Sequence, residues 1–310
     1  MSSENYLTKK YSSAIRQGFL DPDKPVLHNF CGTWLRRHPN RVTTLVRLRN
    51  ILGRNPEWED MTDDTLADLK EIMLMTMAPN SVRTICAELK AVLNSNKRSK
   101  PIKSLSFDAI LRSKKVPTQN VYLTEDELVL LHEYKPRDQR EAYIKEMFMR
   151  ECLTGARAID SRRLSFANIH KVDGVEYLVY VPQKHPVEVS VPVHKWLKNY
   201  LTGSWPPELK KVREDAFCGP IRNICQRVGI TGEVSVYRRG RSETGPKYRF
   251  VSTHTGRRTF ATILSLKGCP LEQISMMMGH MSGNVPNISM TSGYICARGK
   301  ISNDVLTLFQ

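Results

Sequence analysis

Three features of the 310-residue sequence predict a mainly α-helical chain with small β-ribbons: an all-helical bundle followed by an α+β domain. Apolar residues recur at spacings of three and four through residues 25–96. Strict apolar alternation replaces that period in residues 175–193. Between the two regions lies a lysine-rich stretch with two prolines, residues 97–121, which reads as a linker, though its "SFDAIL" is compatible with a helical turn. A chain of this length accommodates two domains of ordinary size.

Residues 1–24 are polar and read as a short leader. The bundle of about four helices rests on two stripes. Val82, Ile85, Leu89, Val92 and Leu93 share one face of "SVRTICAELKAVLN", and Leu66, Leu69, Ile72 and Met73 share one face of "TLADLKEIMLM". Gly53, Pro56, Pro79 and Asn80 punctuate the gaps. The second domain, residues 122–310, opens with "LTEDEL", a capping box from Thr124 to Glu127. A helix through "EAYIKEMFMREC" turns Ile144, Met147, Phe148 and Cys152 inward and stops at Gly155. "VEYLVYVPQKHPVEVSVPV" predicts a two-stranded ribbon bent at "PQKHP". A second ribbon is predicted in "EVSVYRRGRSETGPKYRFV", with Arg238, Arg239 and Arg241 in its loop. Helical patterns fill the rest.

The charge balance narrows the function classes. Lys and Arg number 47 against 31 Asp and Glu, a net charge of +16. That excess favours a polyanionic partner, nucleic acid or an acidic membrane surface. The longest apolar runs, such as "LVLL" and "IMLM", fall far short of the roughly 18 residues a span needs. The N-terminus lacks the apolar stretch of a signal peptide. The seven cysteines show no C-x-x-C pair, which argues against a zinc site and a disulfide framework. They are expected to be buried filler in a chain working in a reducing cytoplasm. Lys97, Arg98, Lys100, Lys114 and Lys115 of the linker, with Arg238, Arg239 and Arg241, are candidate phosphate contacts; a solvated surface is the alternative for each.

Four stretches of the second domain carry candidate chemistry. "LTGARAIDSRRL" sets Arg157 just past a helix-ending glycine. "PQKHP" holds Lys184 at a ribbon bend. "STHTGRRTFATI" holds His254 and Arg257, and "MMMGHMSG" places His280 after a glycine. Tyr294 follows in "TSGYICARGK". Singly, each has an ordinary explanation: a helix cap for Arg157 or His280, solvation for Lys184, a loop hydrogen bond for His254, partial burial for Tyr294.

Together, and in this order, these residues resemble the tyrosine recombinase (phage integrase) family, most closely integrases of bacterial mobile elements and phages. "TGARAIDSRRLSFANI" looks like the family's first arginine box, with Asp160 as its acidic residue. "HTGRRTFAT" is a near-verbatim second box. "ISMMMGH" resembles the helix ending in Gly-His, with methionines for leucines, and "MTSGY" supplies a threonine, Thr291, three before the nucleophile. The fourteen-residue step from His280 to Tyr294 exceeds the family's usual spacing and predicts a longer, more mobile loop. Ala156 replaces the usual leucine.

The resemblance implies site-specific DNA recombination through a 3′-phosphotyrosyl intermediate, with neither metal nor other cofactor. It also implies a SAM-like core-DNA-binding fold for the N-terminal bundle. Arg157 and Arg257 would clamp the non-bridging oxygens of the scissile phosphate, each with a planar fork matched to them. Lys184 would protonate the leaving 5′-oxygen. His254 and His280 would hydrogen-bond the phosphate, one of them taking the phenol proton. Tyr294 would attack, with Gly293 behind it removing bulk and adding freedom. The expected partners are duplex DNA at specific sites, three further copies in a tetramer on DNA, and accessory DNA-bending proteins; off DNA the chain is expected to be a monomer, and its place is the cytoplasm, at the nucleoid. The tail after Tyr294, with Ile301, Val305, Leu306 and Phe309 on one stripe, would dock in cis or on a neighbouring copy. Alternatives are a DNA invertase or resolvase of the same family, a type IB topoisomerase, and a catalytically silent DNA-binding protein.

Overall fold

The computed structural model describes residues 9–23, 27–116, 118–184, 186–203, 205–238 and 240–297. The chain forms two compact units: Met1–Thr118 with Arg238–Arg241, and Gln119–Tyr237 with Ser242–Gln310.

The first unit is helical. A short helix, α1 (Ser12–Arg16), precedes four longer ones: α2 (Phe30–Arg37), α3 (Val42–Leu52), α4 (Asp63–Thr76) and α5 (Pro79–Asn96). Local chemistry sets their ends. The Asn29 side chain accepts from Gly32 N at 2.7 Å, and Thr62 accepts from Thr65 N at 3.1 Å, each occupying an amide that the first turn leaves unpaired. Pro79 opens α5 with a φ suited to a first helical position. Gly53 closes α3 at φ 75°. Both predicted stripes enter one core around Trp34, Leu45 and Leu48, with one exception. Ile72 is exposed. At 100° per residue Leu66, Leu69 and Met73 fall within one narrow arc, and Ile72 lies past its edge.

Two segments read as polar join this core. Tyr11, Ala14, Phe19 and Leu20, from the expected leader, are buried in it. So are Phe107 and Leu111 from the expected linker, the first residue of α6 (Phe107–Ile110) and the residue that follows it. Hydrogen bonds hold this strap to the bundle. Ser104 N donates to Met61 O at 2.7 Å, and Lys70 Nζ donates to the carbonyls of Ile110 and Arg112 at 2.6 and 2.9 Å. Asn80 pairs with both backbone groups of Val116. The helical turn that "SFDAIL" allowed is present; composition missed its burial because a few large apolar residues decide burial, whatever the lysines around them do.

The second unit is built around α8 (Gln139–Thr154), which follows α7 (Glu125–Glu133). The capping box at Thr124 and Glu127 is formed. Every residue of α8 from Tyr143 to Thr154 is buried, polar ones included. Arg150 and Glu146 pair at 2.5 Å within it. Arg150 also donates to the carbonyls of Tyr200, Ser161 and Leu164, so one buried guanidinium fastens the next turn, α9 (Ala158–Ser161), to the central helix. Gly155 ends α8 at φ 66°.

A three-stranded antiparallel sheet follows: β1 (Ile169–Val172), β2 (Val175–Tyr180) and β3 (Val189–Pro192). The predicted two-stranded ribbon is its β2–β3 half, with Leu178 opposite Val191 and Tyr180 opposite Val189, all four facing the core. The added strand, "IHKV", is a largely exposed edge with no alternation to betray it. It joins β2 through Asp173 and Gly174, both at positive φ, as a two-residue hairpin turn requires. After α10 (Cys218–Arg227) the second hairpin appears, β4 (Glu233–Arg238) and β5 (Arg241–Pro246). Arg238 ends β4 and Arg241 opens β5. The chain then forms α11 (Thr253–Leu266), α12 (Leu271–Met277), a small hairpin of β6 (Met281–Ser282) and β7 (Val285–Pro286), and α13 (Ile288–Ser292). The step from His280 to Tyr294 is therefore a hairpin and a helix, not a longer loop.

All seven cysteines are free; Cys218, Cys269 and Cys296 are half-buried rather than buried. No described helix is long and apolar enough to cross a membrane. The tail stripe beginning at Ile301 lies outside the described residues.

The crossing of α8 and α11 yields a test. A Cβ at Gly256 of α11 would stand 2.7 Å from Glu151 Cβ of α8. Gly256→Ala should cost about 1–3 kcal/mol in urea denaturation, the usual range for overpacking. Gly219→Ala, in α10 with a Cβ that meets nothing within 4 Å, should cost nothing and stabilise by about 0.4–1 kcal/mol, as Gly→Ala does at a compatible position.

Candidate active site

Helix endings set the positions of the candidate residues. Gly155 turns the chain out of α8 and, two residues on, Arg157 stands as the N-cap of α9. Gly279, at φ 62°, turns it out of α12, and His280 follows at once. His254 and Arg257 lie on the first turns of α11, whose capping box joins Ser252 and Thr255. Tyr294 follows α13.

Arg257 is the centre of the group. It is 1% exposed. Its Nη1 donates to Gly155 O; its Nη2 donates to Met278 O at 3.1 Å and meets His280 Nε2 at 2.8 Å. Two of these acceptors are carbonyls at the ends of α8 and α12, where helix dipoles favour a cation. Burial lowers the guanidinium pKa; Tyr294 opposes that, and the Arg157 charge adds to it. A guanidinium starts so high that it stays charged.

His280 is 1% exposed, and its Nδ1 lies 3.1 Å from Thr291 Oγ1. Its backbone is pinned as well: Ser275 Oγ and Asn287 N both donate to His280 O at 2.7 Å. The Tyr294 ring is half-buried, with its centre 5.0 Å from that of His280 and 5.3 Å from Arg257 Cζ. The nucleophile candidate thus rests against the arginine and histidine within its own chain. Thr262 holds its backbone: Cys296 N donates to Thr262 Oγ1 at 3.0 Å, and that hydroxyl reaches Tyr294 O at 3.4 Å. Gly293 sits at φ −68°, which any residue adopts, so the freedom expected of it is not used in this conformation.

Arg157 is half-buried, and its Nη1 is buried without a hydrogen-bond partner among the described residues; Arg257 Nε is in the same condition. Asp160 is 2% exposed. Its Oδ1 accepts from Gln183 N at 2.9 Å. The arginine turn therefore anchors the β2–β3 connection one residue before Lys184, which is exposed. His254 is exposed too, one turn before Arg257 on α11. The structure gathers Arg157, Arg257, His280 and Tyr294, and it leaves Lys184 and His254 at the surface.

Among the candidate phosphate contacts, Lys97, Arg98, Lys114, Lys115 and Arg241 are exposed. Lys100 is half-buried with Nζ 5.8 Å from the Trp58 ring centre, and Arg238 is half-buried. Arg239 lies outside the described residues. Among the described residues no group of three or more His, Cys, Asp or Glu is placed to hold a metal.

Sequence reasoning passed over three side chains. Thr262 and Asn287 act through contacts that only the fold creates. Tyr180, which falls between the alternating residues Val175, Tyr177, Val179 and Val181 that the sequence offered, is buried as a second phenol beside the arginines. Burial pushes its pKa up to about 12; Arg257 and Arg157 pull it down, and Asp160 pushes it up.

The model of the phage integrase family matches residues 121–298. No curated protein matches the chain. Among solved structures, the Tn1549 transposon integrase in complex with a circular intermediate DNA is 14% identical, covering 98% of this chain and 99% of its own, with a TM-score of 0.61. A lambda integrase dimer bound to a core site is 15% identical, covering 97% and 98%, at 0.57. The XerH site-specific recombinase, bound to a palindromic difH substrate after cleavage, is 13% identical, covering 100% and 84%, at 0.57. At such identities the likeness is one of fold.

Tyr180 supplies the test of the site's burial. Its folded pKa lies above the unfolded value of about 10. The native state thus holds the phenol proton more tightly. This contribution is full below pH 10 and is lost as pH rises through 12. Wild type should lose on the order of 2 kcal/mol more stability than Tyr180→Phe between pH 9 and 12, measured by denaturant titration.

Proposed function

The chain belongs to the phage integrase family, and from that premise we propose that it cuts and rejoins duplex DNA at specific sites through a 3′-phosphotyrosyl bond at Tyr294. One observation carries the reading. The Tyr294 ring lies 5.3 Å from a buried guanidinium that fixes His280, and buried N–H groups of Arg157 and Arg257 are unpaired among the described residues. A phosphodiester is the anion whose oxygens match two guanidinium forks.

A phenol with a reference pKa of about 10 is a poor nucleophile at neutral pH. Arg157 and Arg257 stabilise the charge that develops on the non-bridging oxygens. Arg257 is held by Gly155 O, Met278 O and His280 before substrate arrives, so little reorganisation of it opposes the reaction. Tyr294 attacks phosphorus, and the bond to the 5′-oxygen breaks. Lys184, on the connection anchored by Asp160, protonates that oxygen. His254 donates a hydrogen bond to the phosphate from the start of α11. The phosphotyrosyl ester keeps the energy of the broken bond, so rejoining needs no nucleotide. The two cationic forks supply the positive field, and the reaction as written calls on no metal.

The net charge of +16 grips DNA without regard to sequence, and binding weakens as salt rises. The exposed Lys97, Arg98, Lys114, Lys115 and Arg241 contribute to that grip. Four copies act on two duplexes, as in the lambda integrase tetramer on a Holliday junction. Integration and excision of a mobile element rank above inversion or dimer resolution, on the wording of the second arginine box. The protein works at the nucleoid.

Nicked duplexes carrying the ends of the encoding element test the reading. Wild type should form a covalent adduct on a denaturing gel, and Tyr294→Phe none. Arg257→Ala should slow adduct formation about 10²–10³-fold, the usual loss for one preorganised donor. Adduct absent from wild type on the correct site defeats the enzymatic reading and leaves a silent DNA-binding protein. Relaxation of supercoils without recombinant product would select a topoisomerase.

A further inference from the structure

The hydrogen bonds around His280 can be assigned one atom at a time. Arg257 Nη2 lies 2.8 Å from His280 Nε2. A guanidinium nitrogen only donates. Nε2 must therefore be the bare, accepting nitrogen, since a proton there would face another N–H. A neutral imidazole carries one proton, so it sits on Nδ1. The Nδ1–H points at Thr291 Oγ1, 3.1 Å away, and that oxygen accepts. The threonine's own hydrogen goes elsewhere, and Asn287 O lies 3.2 Å from Oγ1 to receive it. Each atom in the series from Arg257 to Asn287 then has one role. Thr291 is fully buried, which keeps water from competing.

We propose that Thr291 is a positioning residue that locks His280 in the Nδ1–H tautomer, so that Nε2 serves as the acceptor for the Tyr294 proton. This rests on the recombinase reading above, and it chooses between the two histidines. In the structure Nε2 is covered by Arg257. A phosphate that takes the Nη2–H of Arg257 uncovers it, beside a phenol ring whose centre is 5.0 Å from the imidazole. The Tyr294 O–H bond then breaks as the Nε2–H bond forms. The phenolate oxygen bonds to phosphorus, the bond to the 5′-oxygen breaks, and Lys184 gives that oxygen its proton. One proton enters at His280, one leaves from Lys184, and both return when the strand is rejoined. Before DNA arrives the base is masked, so Tyr294 is not activated. The other tautomer would present Nε2–H to the phenol and leave no acceptor. Thr291 is thus bound to the nucleophile twice over: through His280, and through its carbonyl, which accepts from Tyr294 N at 2.8 Å.

Thr291→Val removes the hydroxyl and keeps the shape, whereas Thr291→Ser keeps the hydroxyl. Imidazole 15N shifts in histidine-labelled protein report the tautomer, with the His280 signals identified by their loss in His280→Gln. Wild type and Thr291→Ser should show protonated Nδ1 and bare Nε2, and Thr291→Val should lose that pattern. Adduct formation on nicked duplexes should fall about 10–100-fold in Thr291→Val, the usual loss when an orienting partner is removed, and recover in Thr291→Ser, with DNA affinity unchanged throughout. A protonated Nε2 in neutral wild-type His280 overturns the proposal. So does Thr291→Val that cleaves like wild type, or folded Thr291→Ser that is as slow as Thr291→Val. The tautomer spectrum needs no activity: absence of adduct in wild type defeats the recombinase reading, while the spectrum still decides the tautomer. Should Thr291→Val fail to fold, wild type and Thr291→Ser still give the spectrum that decides.

Discussion

One buried charge organises this site. Arg257 is 1% exposed, and removing a guanidinium from water is costly unless every polar contact is good. The fold meets that cost with the carbonyl of Gly155, the carbonyl of Met278 and the imidazole of His280. These come from the ends of two helices and the residue after one of them, so a single side chain ties α8, α11 and α12 together at their functional ends. Gly155 and Gly279 are both at positive φ because each must turn a carbonyl or a side chain back toward that charge. An error in either helix ending would take an acceptor from a cation that burial leaves dependent on it.

The same constraint prepares the site for an anion. Acceptors from the protein occupy Arg257 Nη1 and Nη2, but its Nε and the Nη1 of Arg157 are buried and unpaired among the described residues. Buried donors without acceptors are a local cost that folding tolerates where a ligand relieves it. Two cations held close together repel, and a doubly ligated phosphate turns that repulsion into attraction. Asp160 balances part of the charge and, through Gln183 N, transmits the position of the arginine turn to the connection that carries Lys184.

Much of this was legible in sequence, and the remainder was hidden for identifiable reasons. Helix stripes, the capping box at Thr124 and Glu127, the stop at Gly155 and the β3 alternation are local signals, and local signals survive in a string of letters; in β2 the buried face is Leu178 and Tyr180, opposite the alternating valines. Arg157, His280 and Tyr294 stood out because glycines or element ends put them where chemistry can reach them. What escaped depends on distant contacts. β1 is an exposed edge whose pairing partner, not its composition, makes it a strand. Phe107 and Leu111 looked like linker because charge around them outweighed two apolar side chains in the count but not in energy. Tyr180 lies on the face opposite the Val175, Tyr177, Val179 and Val181 alternation, and that face is the buried one, within the fields of both arginines and of Asp160. Thr262 and Asn287 matter only once the chain after His280 folds back as a hairpin and a helix.

The central claim is that Tyr294, and not the other phenol beside the arginines, bonds to DNA. Protease digestion of the trapped protein–DNA adduct, followed by mass spectrometry of the nucleotide-bearing peptide, tests it directly. The account predicts a 3′-phosphate on the oxygen of Tyr294 and an unmodified Tyr180. Nucleotide on Tyr180, or on any side chain other than Tyr294, would contradict it.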